Sequence, residues 1–113
     1  MLNDLEQFTG TENHYKHWLG YKYTDGIKYL ADKYSCYWLL DAIFSYNTKK
    51  FQTKHRFQIW EIKVYIDKRA TLTMKEDTNL PNIIKQNIDY SDFSIPELKL
   101  YLIEGILLLP TEY

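Results

Sequence analysis

The segment QIWEIKVYI, residues 58–66, alternates strictly between apolar and polar side chains over most of its length. Trp60, Ile62, Val64 and Ile66 fall on one side, and Glu61 and Lys63 fall on the other. Successive side chains of a strand point to opposite faces, so a period of two commits the segment to a half-buried strand. ATLTMK, residues 70–75, repeats the pattern, with Ala70, Leu72 and Met74 inward and Thr71, Thr73 and Lys75 outward. The intervening DKR is short enough for a hairpin. A sheet with one apolar face needs a layer to cover it, and this requirement organises the reading of the rest of the chain.

Helical periodicity supplies the cover. In TDGIKYLADKY, Ile27, Leu30, Ala31 and Tyr34 follow the i, i+3, i+4, i+7 pattern, with Thr24 or Asp25 as the cap. CYWLLDAIFSYN is apolar on more than one face and reads as a central helix. LNDLEQF reads as a short helix closed by TGT, and residues 13–22 are ambiguous, with His14, Trp18 and Tyr21 on one helical face and Trp18 the expected core member. NTKKFQTKHR reads as a polar, basic connector, and IIKQNIDY as a third, less regular strand. SIPELKLYLIEG carries a helix-start signature: Ser94 at the cap, Pro96 in the first turn, Glu97 three residues after the cap, and Gly105 as the stop. ILLLP reads as a last buried strand ended by Pro110. The predicted fold is therefore α+β: N-terminal helices packed on a small antiparallel β-meander, with a late C-terminal helix.

At 113 residues the chain amounts to one compact domain, 1–113, with enough length for its own core. The single cysteine, Cys36, sits in an apolar run and reads as a buried small hydrophobe in a reducing compartment. No basic-then-apolar leader opens the chain, and no apolar run approaches the ~18 residues of a membrane span. The expected location is the cytoplasm, without a membrane partner.

Net charge is −1, which excludes a general nucleic-acid coat. The charge is unevenly spread, however: residues 49–69 hold seven Lys or Arg against two acids, a local net of +5 between acidic flanks. Within that block Lys49, Lys50, Lys54 and Arg56 alternate with Phe51 and His55, and Lys68 and Arg69 lie at the expected hairpin tip. Cations contact phosphates and exposed rings stack on unpaired bases, so these eight residues form the candidate surface for nucleic acid or an acidic partner. Eleven tyrosines are too many for all their hydroxyls to be buried and satisfied in one small domain. Tyr15, Tyr21 and Tyr23 are the candidates for a protein-partner surface, where exposed Tyr and Trp are favoured.

Catalytic signatures are weak. His14 and His17 stand three apart, but a zinc site needs three or four converging ligands, so no metal or other cofactor is expected. There is no nucleophile elbow, Gly-rich phosphate loop or H-E-x-x-H. Asp25, Asp32 and Asp41 read as helix-start or polar-face carboxylates rather than a catalytic pair, with Asp25 the simplest turn or cap residue beside Gly26.

The pieces FTGTEN, YTDGIKYLAD, YWLLDAI and FQIWEIKV, with the ending YSDF…ELKLYLIEGILLLPTEY, resemble a family of small bacterial proteins of unknown function. The resemblance spans nearly the whole chain and rests most on TDG…YLA, YWLLD and LLLP-x-EY. It implies a compact domain in a bacterial, mobile-element context and carries no catalytic residue. The expected function is that of a non-enzymatic interaction protein, a phage or mobile-element accessory factor acting on a bacterial partner such as a CRISPR or other defence nuclease. The alternatives are a stand-alone RNA or single-stranded DNA binder using residues 49–57 and a small hydrolase with an unrecognised site. A protein partner is expected, nucleic acid is an alternative contact through the connector, and self-association is left open.

Overall fold

A computed structural model describes residues 5, 7, 8 and 13–113. Seven strands form one mixed sheet: β1 (His14–Lys16), β2 (Lys22–Thr24), β3 (Phe57–Val64), β4 (Ala70–Lys75), β5 (Ile84–Ile88), β6 (Glu97–Ile103) and β7 (Ile106–Leu108). Among the described residues, three short α-helices accompany them: α1 (Asp25–Lys33), α2 (Tyr37–Ser45) and α3 (Lys49–Lys54). The strand order is β1-β2-β7-β6-β3-β4-β5, with β2 and β7 parallel and every other pair antiparallel.

The alternating segment becomes the middle of this sheet. Trp60 pairs with Met74 on one side and Leu100 on the other, and Ile62 pairs with Leu72 and Leu98. Directly opposed residues share a face, so these side chains form one apolar surface. It joins Ile27, Leu30 and Ala31 of α1 and Leu39, Leu40, Ile43 and Phe44 of α2 in a single buried cluster. Val64 is half-buried at the strand end, and Ile66 is fully exposed in the β3–β4 turn, where the alternation has ended.

The architecture corrects the predicted one. It is a seven-stranded mixed sheet with three short helices, not a small antiparallel meander under N-terminal helices with a late C-terminal helix. The largest revision is at residues 97–103, which form β6 between β3 and β7. Leu98, Leu100 and Leu102 recur every second residue, which puts them on one face of a strand and spreads them around a helix. The local capping pattern is outweighed by pairing with β3 along the whole strand and with β7 over Tyr101–Ile103. Gly105 does not stop a helix: with Glu104 it makes the two-residue β6–β7 turn, both residues having positive φ (80° and 51°), the backbone of a type I′ hairpin. Residues 13–22 are also not helical; they form the β1–β2 hairpin. The helix read in LNDLEQF lies largely outside the described residues.

α1 starts where expected. Thr24 caps it, its hydroxyl accepting from Ile27 N at 3.3 Å. The same hydroxyl donates to Glu112 Oε1 at 2.6 Å. Glu112 is buried, and it also accepts from Gly26 N at 3.2 Å and Leu109 N at 3.0 Å. A carboxylate thus sits against the first turn of α1, satisfying otherwise unpaired amides at the positive end of the helix dipole. The terminal turn Pro110–Glu112 delivers it there.

A second polar joint fixes the corner between α2, α3 and β3. The Gln58 amide donates to Asn47 Oδ1 at 2.6 Å and to the His55 carbonyl at 2.8 Å, and its oxygen accepts from Trp60 Nε1 at 2.8 Å. Asn47 in turn donates to the Ile43 carbonyl at 2.8 Å. Among the described residues, no helix is long and apolar enough to cross a membrane.

Gly26 tests the terminal clasp. An Ala Cβ there would meet Glu112 Oε1 at 2.5 Å and Leu109 Cδ1 at 2.7 Å. Gly→Ala inside an ordinary helix stabilises by roughly 0.5–1 kcal/mol. Here the sign should reverse: Gly26→Ala is expected to cost about 1–3 kcal/mol in urea unfolding, the range of overpacking. A neutral or stabilising result would mean that Glu112 does not hold this position.

Candidate functional site: an aromatic groove between the 17–21 turn and helix α2

The β1–β2 hairpin closes through residues 17–21. His17 N donates to the Tyr21 carbonyl at 2.7 Å, and Gly20 N donates to the His17 carbonyl at 2.9 Å. Gly20 has φ 99°, a conformation that L side chains rarely adopt, which lets the turn close in so few residues. The turn buries His17 and leaves Trp18 77% exposed. Trp18 was the expected core member of this stretch; the buried tryptophan is instead Trp60, which is 1% exposed.

Opposite the turn, α2 presents Trp38, Asp41, Ala42 and Ser45, spaced i, i+3, i+4, i+7. Leu39, Leu40, Ile43 and Phe44 on its other side are buried. This is the structural reason that α2 is apolar on more than one face. Between turn and helix lies a groove of about 790 Å³, walled by Trp18, Leu19 and Trp38, lined further by Tyr21 and Phe44, and with Lys49 among its lining residues.

Asp41 ties the two sides together. Its Oδ1 accepts from His17 Nε2 at 2.6 Å and from Trp18 Nε1 at 3.1 Å. His17 Nδ1 accepts from Leu19 N at 3.1 Å, which assigns the ring proton to Nε2. The imidazole packs on Phe44 with centroids 4.6 Å apart, and Tyr21 stacks on the same ring at 5.4 Å. The Tyr21 hydroxyl donates to the Asn47 carbonyl, so the groove is anchored to the Gln58 joint beneath it.

The basic residues fall into two separate places. Residues 49–54 are not an irregular connector: they form α3, capped by Thr48, whose hydroxyl accepts from Phe51 N at 3.2 Å. Lys49, Lys50 and Lys54 are exposed on it and Arg56 follows, also exposed. Phe51 packs against the core, and its ring lies 4.6 Å from His55. His55 is buried, and Glu76 Oε2 approaches its Nδ1 to 3.1 Å without the alignment of a hydrogen bond. Phe51 and His55 are therefore not the exposed stacking rings that the sequence suggested. Lys68 and Arg69 sit in the turn at the other end of β3, an eight-residue strand. At the usual strand rise that is roughly 23 Å from the start of β3, so they do not extend the α3 ridge. Arg69 Nε is engaged by Asp67 at 2.7 Å.

Of the three candidate tyrosines, only Tyr21 lines the groove. Tyr15 and Tyr23 stack on each other at 5.7 Å along the hairpin. Tyr15 donates to Asp25 Oδ1 at 2.9 Å, and that bond raises its pKa above the usual phenol value. Asp25 lies in the first turn of α1, and Thr24 is the cap. The sequence reading does not single out Trp38, and it takes Asp41 only as a helix-start or polar-face carboxylate. The signal for them is the helical spacing of polar Asp41 and Ser45 with Trp38, on the side of α2 away from the leucines.

The reactive groups are dispersed. Cys36 is buried, and burial pushes its thiol up to about 12. His14 is exposed on β1, His17 is bonded to Asp41, and His55 lies beside Glu76. Among the described residues, no three His, Cys, Asp or Glu side chains come together as a metal site would require.

Fold and site together define a small mixed-sheet domain that carries an aromatic groove around a held carboxylate. A family model described as a family of unknown function, DUF6876, matches residues 1–113, and the chain belongs to that family. Neither a curated protein nor a solved structure matches the chain.

The two tryptophans should separate surface from core. Trp18→Ala is expected to shift the unfolding free energy by no more than ~0.5 kcal/mol, as exposed substitutions do. Trp60→Ala should cost about 3–5 kcal/mol. Comparable losses for the two would place Trp18 in the core.

Proposed function

We propose that this domain acts by docking, without chemistry of its own, and that the groove between residues 17–21 and α2 is where a protein partner binds. One observation carries the reading: Trp18 is 77% exposed yet held in a fixed direction by Asp41. Exposing an indole to water is unfavourable, and orienting it adds an entropic cost. A partner that covers it recovers both terms, which is why tryptophan is enriched among the residues that dominate interfaces. The groove's ionisable groups support the reading too. His17 spends both ring nitrogens on Leu19 and Asp41, so it is committed to shaping the turn.

The α3 ridge supports a second reading. Lys49, Lys50, Lys54 and Arg56 are exposed together, and Lys49 also lines the groove. A nucleic acid or acidic surface would be drawn to that ridge, and binding of this kind weakens steeply with salt. The setting proposed for both is that of a bacterial mobile-element accessory protein acting on a host macromolecule, defence nucleases among them.

Affinity capture from bacterial lysate with and without nuclease separates the two readings. A specific partner should survive nuclease treatment, be lost with Trp18→Ala, and be retained by Lys50→Glu/Lys54→Glu. Capture that needs nucleic acid and fails only with the lysine reversal would replace docking by nucleic-acid binding.

A further inference from the structure

We infer that the groove takes a cationic side chain of the partner, an arginine, between Trp18 and Trp38 and against Asp41. The inference rests on the docking reading and specifies its chemistry. Both bonds to Asp41 run to Oδ1, and both come from ring N–H groups. Its side chain is 50% exposed, and among the described residues its one partner within ion-pair range is His17. Lys49, although it lines the same groove, is not within that range. A wholly apolar occupant would strip water from this carboxylate and give nothing back, which is costly. A phosphate would meet it with like charge. A cation would recover the lost hydration as a charge-assisted bond.

The walls narrow the choice further. Cations are attracted to the faces of aromatic rings, and tryptophan is the strongest such partner. Arginine adds a planar guanidinium that stacks on an indole while its fork of N–H groups reaches a carboxylate, which a lysine ammonium cannot match. The Asp41 bonds keep Trp18 in place before binding, so little freedom remains to be lost when the wall is used.

The test uses the three indole N–H signals of the full chain in a proton–nitrogen NMR spectrum, from Trp18, Trp38 and Trp60. The probes are the capped tripeptides Gly-Arg-Gly and Gly-citrulline-Gly, where citrulline keeps the shape of arginine and removes its charge. The arginine probe should shift the Trp18 and Trp38 signals saturably and leave buried Trp60 unmoved, with the citrulline probe about tenfold weaker. Asp41→Asn keeps an Oδ1 acceptor for His17 and Trp18 and removes the charge, so it should abolish the preference while the Trp60 signal stays in place. Equal shifts from both probes, or a preference that survives Asp41→Asn, would overturn the inference. If Trp18→Ala still abolishes partner capture in that case, the docking reading stands and only the arginine is wrong. A probe-free shift of Trp18 that grows with protein concentration and disappears with Arg56→Gln/Arg69→Gln would assign the groove to a second copy of the chain, and would also overturn it.

Discussion

The structure depends on one carboxylate. Glu112, next to last in the chain, accepts hydrogen bonds from Thr24, Gly26 and Leu109, and so binds the end of the sheet to the first turn of α1. β7 lies parallel to β2 immediately before this point, and β2 runs directly into α1. The clasp therefore closes a loop between sequence positions 88 and 86 residues apart, Thr24 and Gly26 with Glu112. Pairing β2 with β7 fixes where α1 begins; capping by Glu112 fixes the amides of its first turn. α2 follows α1 after a three-residue connection and carries one wall of the groove. The opposite wall belongs to the hairpin that ends in β2, so both walls are set from the same joint.

Much of the sheet could be read from alternation alone. The pattern through Trp60, Ile62, Leu72 and Met74 predicts β3, β4 and their shared buried face, and the pairing register confirms it. α1 and its Ile27-Leu30-Ala31 face were also visible, with the cap left between Thr24 and Asp25 until the structure gave it to Thr24. Residues 97–103 were misread because two signals compete there. Ser94-x-Pro96-Glu97 imitates a helix start, while Leu98, Leu100 and Leu102 keep a strand's period. Local capping contributes ~1 kcal/mol and pairing on both edges contributes far more, so the strand prevails. The Glu104-Gly105 pair, a two-residue turn between apolar runs, was the available sign of a hairpin.

The groove was harder to read, for a physical reason. Its members come from a turn and from the less apolar side of a helix, and only folding brings them together. Trp18 reads as the core member of its stretch, yet Gly20 makes a turn there and the indole lies exposed. The basic residues of 49–56 were legible as a charged block, but their helical form was not, and the exposed faces predicted for Phe51 and His55 are taken up in packing. Two pieces far apart in the sequence, TDG and LLLP-x-EY, are halves of one structure: the threonine and glycine of the first meet the glutamate of the second.

The coupling across that joint is the central claim, and a double-mutant cycle on Thr24→Ala and Glu112→Gln measures it most directly. Urea unfolding of the four proteins should give a coupling energy of about 1–3 kcal/mol, as expected for buried partners in one hydrogen-bond network. Losses that add to within ~0.5 kcal/mol would show that Thr24 and Glu112 act separately, and that the start of α1 and the turn at residues 110–112 are not held together in this way.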